Sequence, residues 1–226
     1  MRSSLPEKIK EIWRINTEKL SEMNLVAYLS LPVYHEPFEM ILGQIVEYYI
    51  MSKAAETLLP WFKHSTLRAD RAMHLQILCL RDRSQSELGI IGEFQSNQDN
   101  AIKELCKIET SITPLEKLIV LKNACSLIRQ NIQINIEKNN YSQDIEMATD
   151  DLISIIIYVI IQASYVYIDI PADIRYILKF HFVNTSCSEL GFTLCNFRVC
   201  VHMIIPIKSY TKFIHTYIHT YIHIYI

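Results

Sequence analysis

An all-α fold is the class this sequence predicts, and three observations predict it. Four glycines and seven prolines punctuate 226 residues, too few breaks for a turn-rich β fold. Half of the residues are hydrophobic and a fifth are charged, ample for a sizeable core and too apolar for disorder. Apolar positions in several segments recur at helical spacing. The length fits one domain, or a domain with a helical extension.

Each element follows in order. Residues Pro6 to Met23 mix charges with Ile9, Ile12, Trp13, Ile15 and Leu20, which predicts an exposed amphipathic helix. LVAYLSLPVYHEPFEMILGQIVEYYIM offers two proline-marked turns, then an apolar helix from Phe38 to Met51. Pro37 suits the first turn of that helix, where a missing N–H costs nothing. AAETLLPWF runs to a break near Lys63, and a further helix covers Ala69 to Arg81. Its predicted apolar face is Ala72, Leu75, Ile77, Leu78 and Leu80. SQSELGIIGEFQSNQ is polar and aperiodic, with two glycines, and reads as a loop.

The best helix start is Thr113-Pro114-Leu115-Glu116. Thr113 caps, Pro114 occupies the first helical position and Glu116 closes a capping box. Leu118, Leu121, Ala124, Cys125, Ile128 and Ile132 then form one stripe. EKNNYSQD ends the element, and Asp150-Asp151 opens LISIIIYVIIQASYVYI. After a turn near Pro171 come a shorter helix, IPADIRYILKF, and a closing segment, ELGFTLCNFRVCVHMII.

The run from Leu152 to Ile170 permits three readings. It is close to the minimum spanning length of roughly 18 residues, yet it contains Gln162, two serines and Asp169, and no Lys or Arg flanks it before Arg175. Its β-branched residues would also suit two buried strands. A buried central helix is the expectation, and no transmembrane segment is favoured.

Several function classes lose support. A net charge of −2 and a pI near 6.4 give no basic footprint for nucleic acid. The six cysteines, at 79, 106, 125, 187, 195 and 200, lack zinc-like spacing. Behind a charged N-terminus that resembles no signal peptide, they read as buried thiols of a reducing, cytoplasmic compartment. No GxSxG, HExxH, GxGxxG or GxxxxGKS motif occurs. His181 and His202 read as core histidines without acidic neighbours. Arg175 and Lys179 read as a solvated face, and Tyr176 as core packing. His215, His219 and His223 are spaced four apart in the tail KFIHTYIHTYIHIYI, but that segment repeats like a translated tetranucleotide and reads as low-complexity sequence. No metal and no cofactor are expected.

Four motifs in order carry a resemblance: TPLEKLIVLKNACSLI, ATDDLISIIIYVIIQAS, ADIRYILKF and SELGFTLCNFRVCV. Together they resemble the core of the Vps-nine family over about 108–204. ADRAMHLQILCLRDRSQSELGI upstream is similar to that family's helical bundle. The resemblance implies a layered helical domain preceded by a helical bundle. It divides the chain into an amphipathic helix (1–24), a bundle segment (25–107), an exchange core (108–205) and a low-complexity tail (206–226). It also implies guanine-nucleotide exchange on Rab-five-type GTPases of the early endosome, by a peripherally membrane-associated fragment or short isoform of a larger trafficking protein.

The family's acidic finger maps onto Asp150, with Asp151 beside it. Two aspartates before an apolar helix are also what N-capping selects, at about 0.5–2 kcal/mol. One residue is expected to serve while its neighbour caps. The groove for the GTPase switch regions maps onto Phe192 and Cys195, where the family usually has tyrosine and threonine. Ser154 stands where many members have proline, and Glu189-Leu190-Gly191 shifts the family's glutamate. Asp173 matches a polar position. Loss of the tyrosine hydroxyl and of a good donor at Cys195 leaves open a Rab-binding module without exchange activity.

Overall fold

The computed structural model describes residues 4–22, 35–141, 145, 147–164, 169–182 and 188–204, with the backbone alone at 35–40, 68 and 69. The tail with its three histidines, the turn near Pro32 and Cys187 lie outside the described residues.

Among the described residues seven α-helices follow one another: α1 (Leu5–Glu22), α2 (His35–Leu80), α3 (Asp99–Cys106), α4 (Pro114–Lys138), α5 (Thr149–Ala163), α6 (Ile170–Phe180) and α7 (Glu189–Ile204). Short 3-10 turns at Gly92–Phe94 and Lys107–Glu109 join them, and no strand occurs among the described residues. The all-α expectation holds.

The predicted helix start at Thr113 is built as the sequence reads. Thr113 Oγ1 accepts from the Glu116 amide at 3.2 Å, and Glu116 Oε2 accepts from the Thr113 amide at 2.9 Å. All six residues of the predicted α4 stripe are buried. The loop before α3 is equally legible, although it also plugs the core with Leu88, Ile90 and Phe94. Gly89 has φ +80, which an L side chain rarely adopts.

Two predictions about the second helix fail. The break near Lys63 is absent, because one helix runs unbroken from His35 to Leu80 with Pro60 inside it. Proline removes one backbone hydrogen bond there. Apolar contacts hold the helix on both sides of it: Met51, Leu58 and Phe62 in one cluster, and Met73, Ile77 and Leu80 in another. The predicted face is right at Ile77 and Leu80 and wrong at two positions. Leu75 and Leu78 are exposed, whereas Met73, Ile77 and Leu80 at i, i+4, i+7 form the buried stripe. Steps of about 100° put Leu75 and Ile77 on opposite sides of the helix.

The apolar run is divided between two helices. α5 ends at Ala163 and α6 begins at Ile170, so Leu152–Ile170 is neither one span nor a strand pair. Nearly every side of α5 is buried, which is why its sequence is apolar all round. No helix among the described residues is long and apolar enough to cross a membrane.

The main core gathers α3, α4, α5, α7, the end of α2 and one face of α6. A second cluster joins Ile9 of α1 and Met51, Leu58 and Phe62 of α2 to Tyr176 and Phe180 on the other face of α6, with Phe182 beyond it. α6 is therefore shared. Ile170, Ile174 and Ile177 look into the main core, while Tyr176 meets Phe62 with ring centroids 6.0 Å apart. Tyr176 packs as predicted, and its hydroxyl donates to the Ile112 carbonyl at 3.3 Å. On α1, Ile9 is buried and Trp13 Nε1 donates to the Gly43 carbonyl at 2.9 Å, while Ile12, Ile15 and Leu20 stay exposed.

Polar ties fix α6 at both ends. The Ala172 amide donates to Asp70 of α2 at 3.1 Å, and the Phe182 amide donates to Glu47 of α2 at 2.7 Å. His181 Nδ1 lies 2.8 Å from the other Glu47 oxygen. The His181 side chain is thus enclosed as expected, and its acidic partner lies 134 residues away in sequence, beyond any local spacing. Beneath α6, Lys117 pairs with Asp173 at 2.8 Å, with both side chains 2% exposed, and donates to the Ile108 carbonyl at 2.7 Å. The other Asp173 oxygen has no hydrogen-bond partner among the described residues. Burial, opposed by Lys117, pushes the Asp173 carboxyl up to about 6.

Candidate functional site

The site begins where α5 starts. Ala148 is extended, with φ −72 and ψ 164, and Asp151 Oδ2 accepts the Ala148 amide at 3.0 Å. That is one half of a capping box. Ala148 has no side-chain acceptor to supply the other half. Asp151 is therefore the capping residue.

Asp150 is half-buried in the same first turn. Among the described residues no hydrogen bond or ion pair engages its carboxylate. The helix N-terminus favours a negative charge there by about 0.3–1 kcal/mol, and nothing else among the described residues neutralises it. Ser154, one turn on, is half-buried, and the intervening Leu152 and Ile153 are buried.

α7 supplies the facing elements. Thr193, Asn196, Phe197 and Cys200 are buried, while Phe192 is 43% exposed and Cys195, three residues on, is exposed. Phe192 thus keeps its ring in solvent despite an apolar core beside it. α5 and α7 pack together, and the Cys200 thiol lies 3.7 Å from the Ile153 carbonyl. That contact is one turn from Asp150 and about two turns from Phe192.

The start of α7 is tied to α4 by charge. Glu189 lies 3.1 Å from Lys122 and 3.9 Å from Arg129. Neither cation was singled out by its motif, because each lies 60 or more residues from Glu189 in sequence. Asn196 was missed as well. It is 4% exposed, and its amide nitrogen lacks a partner among the described residues. Its position beside Cys195 was the available signal.

Two expectations about titratable groups need correction. The cysteines are not uniformly buried: Cys125 and Cys200 are, Cys106 is half-buried, and Cys79 and Cys195 are exposed. Burial pushes Cys125 up to about 12 and raises Cys200 well above the usual thiol value, so neither offers a ready thiolate. His202 is exposed rather than a core histidine. Partial burial, then Arg198 and Arg175, lower its pKa. Arg175 and Lys179 are exposed, as expected.

A half-buried carboxylate without a partner, on a helix packed against one with an exposed aromatic ring, suits contact with another macromolecule. Residues 98–209 match the model of the vacuolar sorting protein 9 (VPS9) domain, which covers α3 through α7. The chain belongs to the VPS9 domain family. VPS9 domains act in general as guanine-nucleotide exchange factors on Rab-five-type GTPases. In this VPS9 domain Asp150 and Asp151 open α5, and the exposed face of α7 carries Phe192.

Proposed function

We propose that this VPS9 domain accelerates nucleotide release from an early-endosomal Rab-five-type GTPase, with Asp150 as its acidic finger. The unpartnered, half-buried Asp150 carries the reading, because Asp151 already meets the demand of the helix for a cap. A bound nucleotide and its Mg²⁺ are held by a P-loop lysine and backbone amides. A carboxylate offered to that lysine competes with the phosphates. Phe192, Cys195 and Ser154 line the surface that takes the switch regions, and Asp151 borders it. Release follows from coupling: each ligand weakens the other's hold on the same GTPase.

Residues 25–107 serve on this reading as the supporting bundle, residues 108–205 as the exchange core and residues 206–226 as a tail outside the activity. Early-endosome association comes through the GTPase and needs no membrane span. The test is release of fluorescent GDP from a panel of Rab GTPases, with wild type and Asp150→Ala compared. Acceleration on one early-endosomal Rab, abolished by the substitution, is the expected result. Equal rates for the two proteins would remove the finger role.

A second reading rests on Phe192 and Cys195, which lack the hydroxyls usual in the family. The domain would then bind a Rab without discharging it. Phe192→Tyr with Cys195→Thr should in that case create exchange where wild type has none. If the double variant still binds without discharging, those two departures are not the cause.

A further inference from the structure

The exposed face of α7 does not stop at Cys195. Counting about 100° per residue, Phe192, Cys195, Arg198, Val199 and His202 lie within about 120° of arc, and all five are exposed or half-buried. The face that starts with an aromatic ring therefore ends in Arg198 and the imidazole of His202. α6 packs beside α7 and brings up Arg175, close enough for both Arg175 and Arg198 to act on the His202 imidazole. Lys179 lies one turn beyond Arg175 on the exposed side of α6.

We propose that Arg175, Lys179, Arg198 and His202 form a basic extension of the GTPase-binding face, which docks an acidic segment of the GTPase next to its switch regions. The inference rests on the exchange reading above. Continuity along one helix face selects the GTPase as occupant: a partner seated on Phe192 and extending along α7 meets the cations Arg198, Arg175 and Lys179, with the His202 ring among them. Charges at the edge of an interface act on encounter and register rather than on the chemistry of release. They steer association, and salt screens them over a Debye length of about 10 Å at 0.1 M.

The experiment uses the full chain and the Rab GTPase on which wild type is active, with GTPase concentration varied. Arg175→Glu and His202→Glu, singly and together, should raise KM with kcat unchanged, by about three- to ten-fold at low salt, and the difference should shrink toward unity near 0.5 M. Arg175→Gln, which keeps the bulk, should move KM in the same direction by less. Helical circular dichroism of each variant separates a lost charge from a lost fold. An unchanged KM and salt slope in variants of a wild type that Asp150→Ala inactivates would overturn this inference alone. Wild type inactive on every Rab would remove the exchange reading and this inference with it. Variants that lose co-sedimentation with phosphatidylserine vesicles yet keep KM would overturn the GTPase as occupant in favour of a lipid surface.

Discussion

The two sides of this domain treat charge in opposite ways. On the inward side of α6 and just past its end, ionisable groups are buried and paired: Lys117 with Asp173, and Glu47 with His181 and the Phe182 amide. On the α5–α7 side, Asp150 is half-buried without a partner among the described residues, and Phe192 is exposed. A buried ion costs several kcal/mol unless compensated, so the first arrangement persists only because both members are present. A half-exposed carboxylate keeps its water and needs no partner to be tolerated. The comparison separates residues that hold the fold from residues that leave it something to bind with.

The sharpest way to break that comparison is Lys117→Met. It strands the Asp173 carboxylate in the core and should destabilise by about 3–5 kcal/mol, measured by chemical denaturation. Lys117→Met with Asp173→Leu should recover most of the loss, since an apolar pair of similar volume removes the uncompensated charge. A double variant as unstable as the single one would mean that the pair is not the unit that matters.

Acid should act through Asp173 with a definite sign. Its pKa is raised from the ordinary 3.8 to about 6. Between those values the folded chain binds a proton that the unfolded chain does not. Its contribution to stability therefore grows as pH falls through about 6 toward 3.8. Asp173→Asn lacks that contribution. Wild type should gain on the variant over this window by up to about 3 kcal/mol, seen in paired denaturation curves at pH 6.5 and 4.

Glu47→Leu comes next in size. It leaves the Phe182 amide and the buried His181 ring without their acceptor, for a cost of about 1–3 kcal/mol. The loss should appear in thermal melts without altering the GTPase preference. Smallest is the contrast between neighbours on the open side. Asp151→Ala should cost about 0.5–2 kcal/mol through the lost cap and keep exchange activity. Asp150→Ala should leave stability within about 0.5 kcal/mol and lose exchange. Reversed roles would show that the finger and the cap had been assigned to the wrong aspartates.

Much of the fold was legible because it is encoded locally. The Thr113 capping box and the α4 stripe depend on residues within a few turns of one another, and both are present as read. The site was legible in part. Motif order marked Asp150, Asp151, Ser154, Phe192 and Cys195, and the two aspartates lie at the start of one helix whose partner carries Phe192 and Cys195. Whether either aspartate was already committed to a cap required coordinates. The errors share a cause. Pro60 argued for a break, yet contacts from α6 and from the main core hold α2 helical on either side of it.

The sequence by itself determined an all-helical chain, its best helix start and the order of motifs that marks the VPS9 family. These rest on spacing and capping within single segments, where the interacting residues are neighbours in the chain. The tertiary structure alone decided that Lys117 faces Asp173, that Glu47 holds His181, and that Arg175 comes near enough to His202 for its charge to act there. Each joins residues far apart in sequence, and only burial determines which charges find each other and which stay exposed.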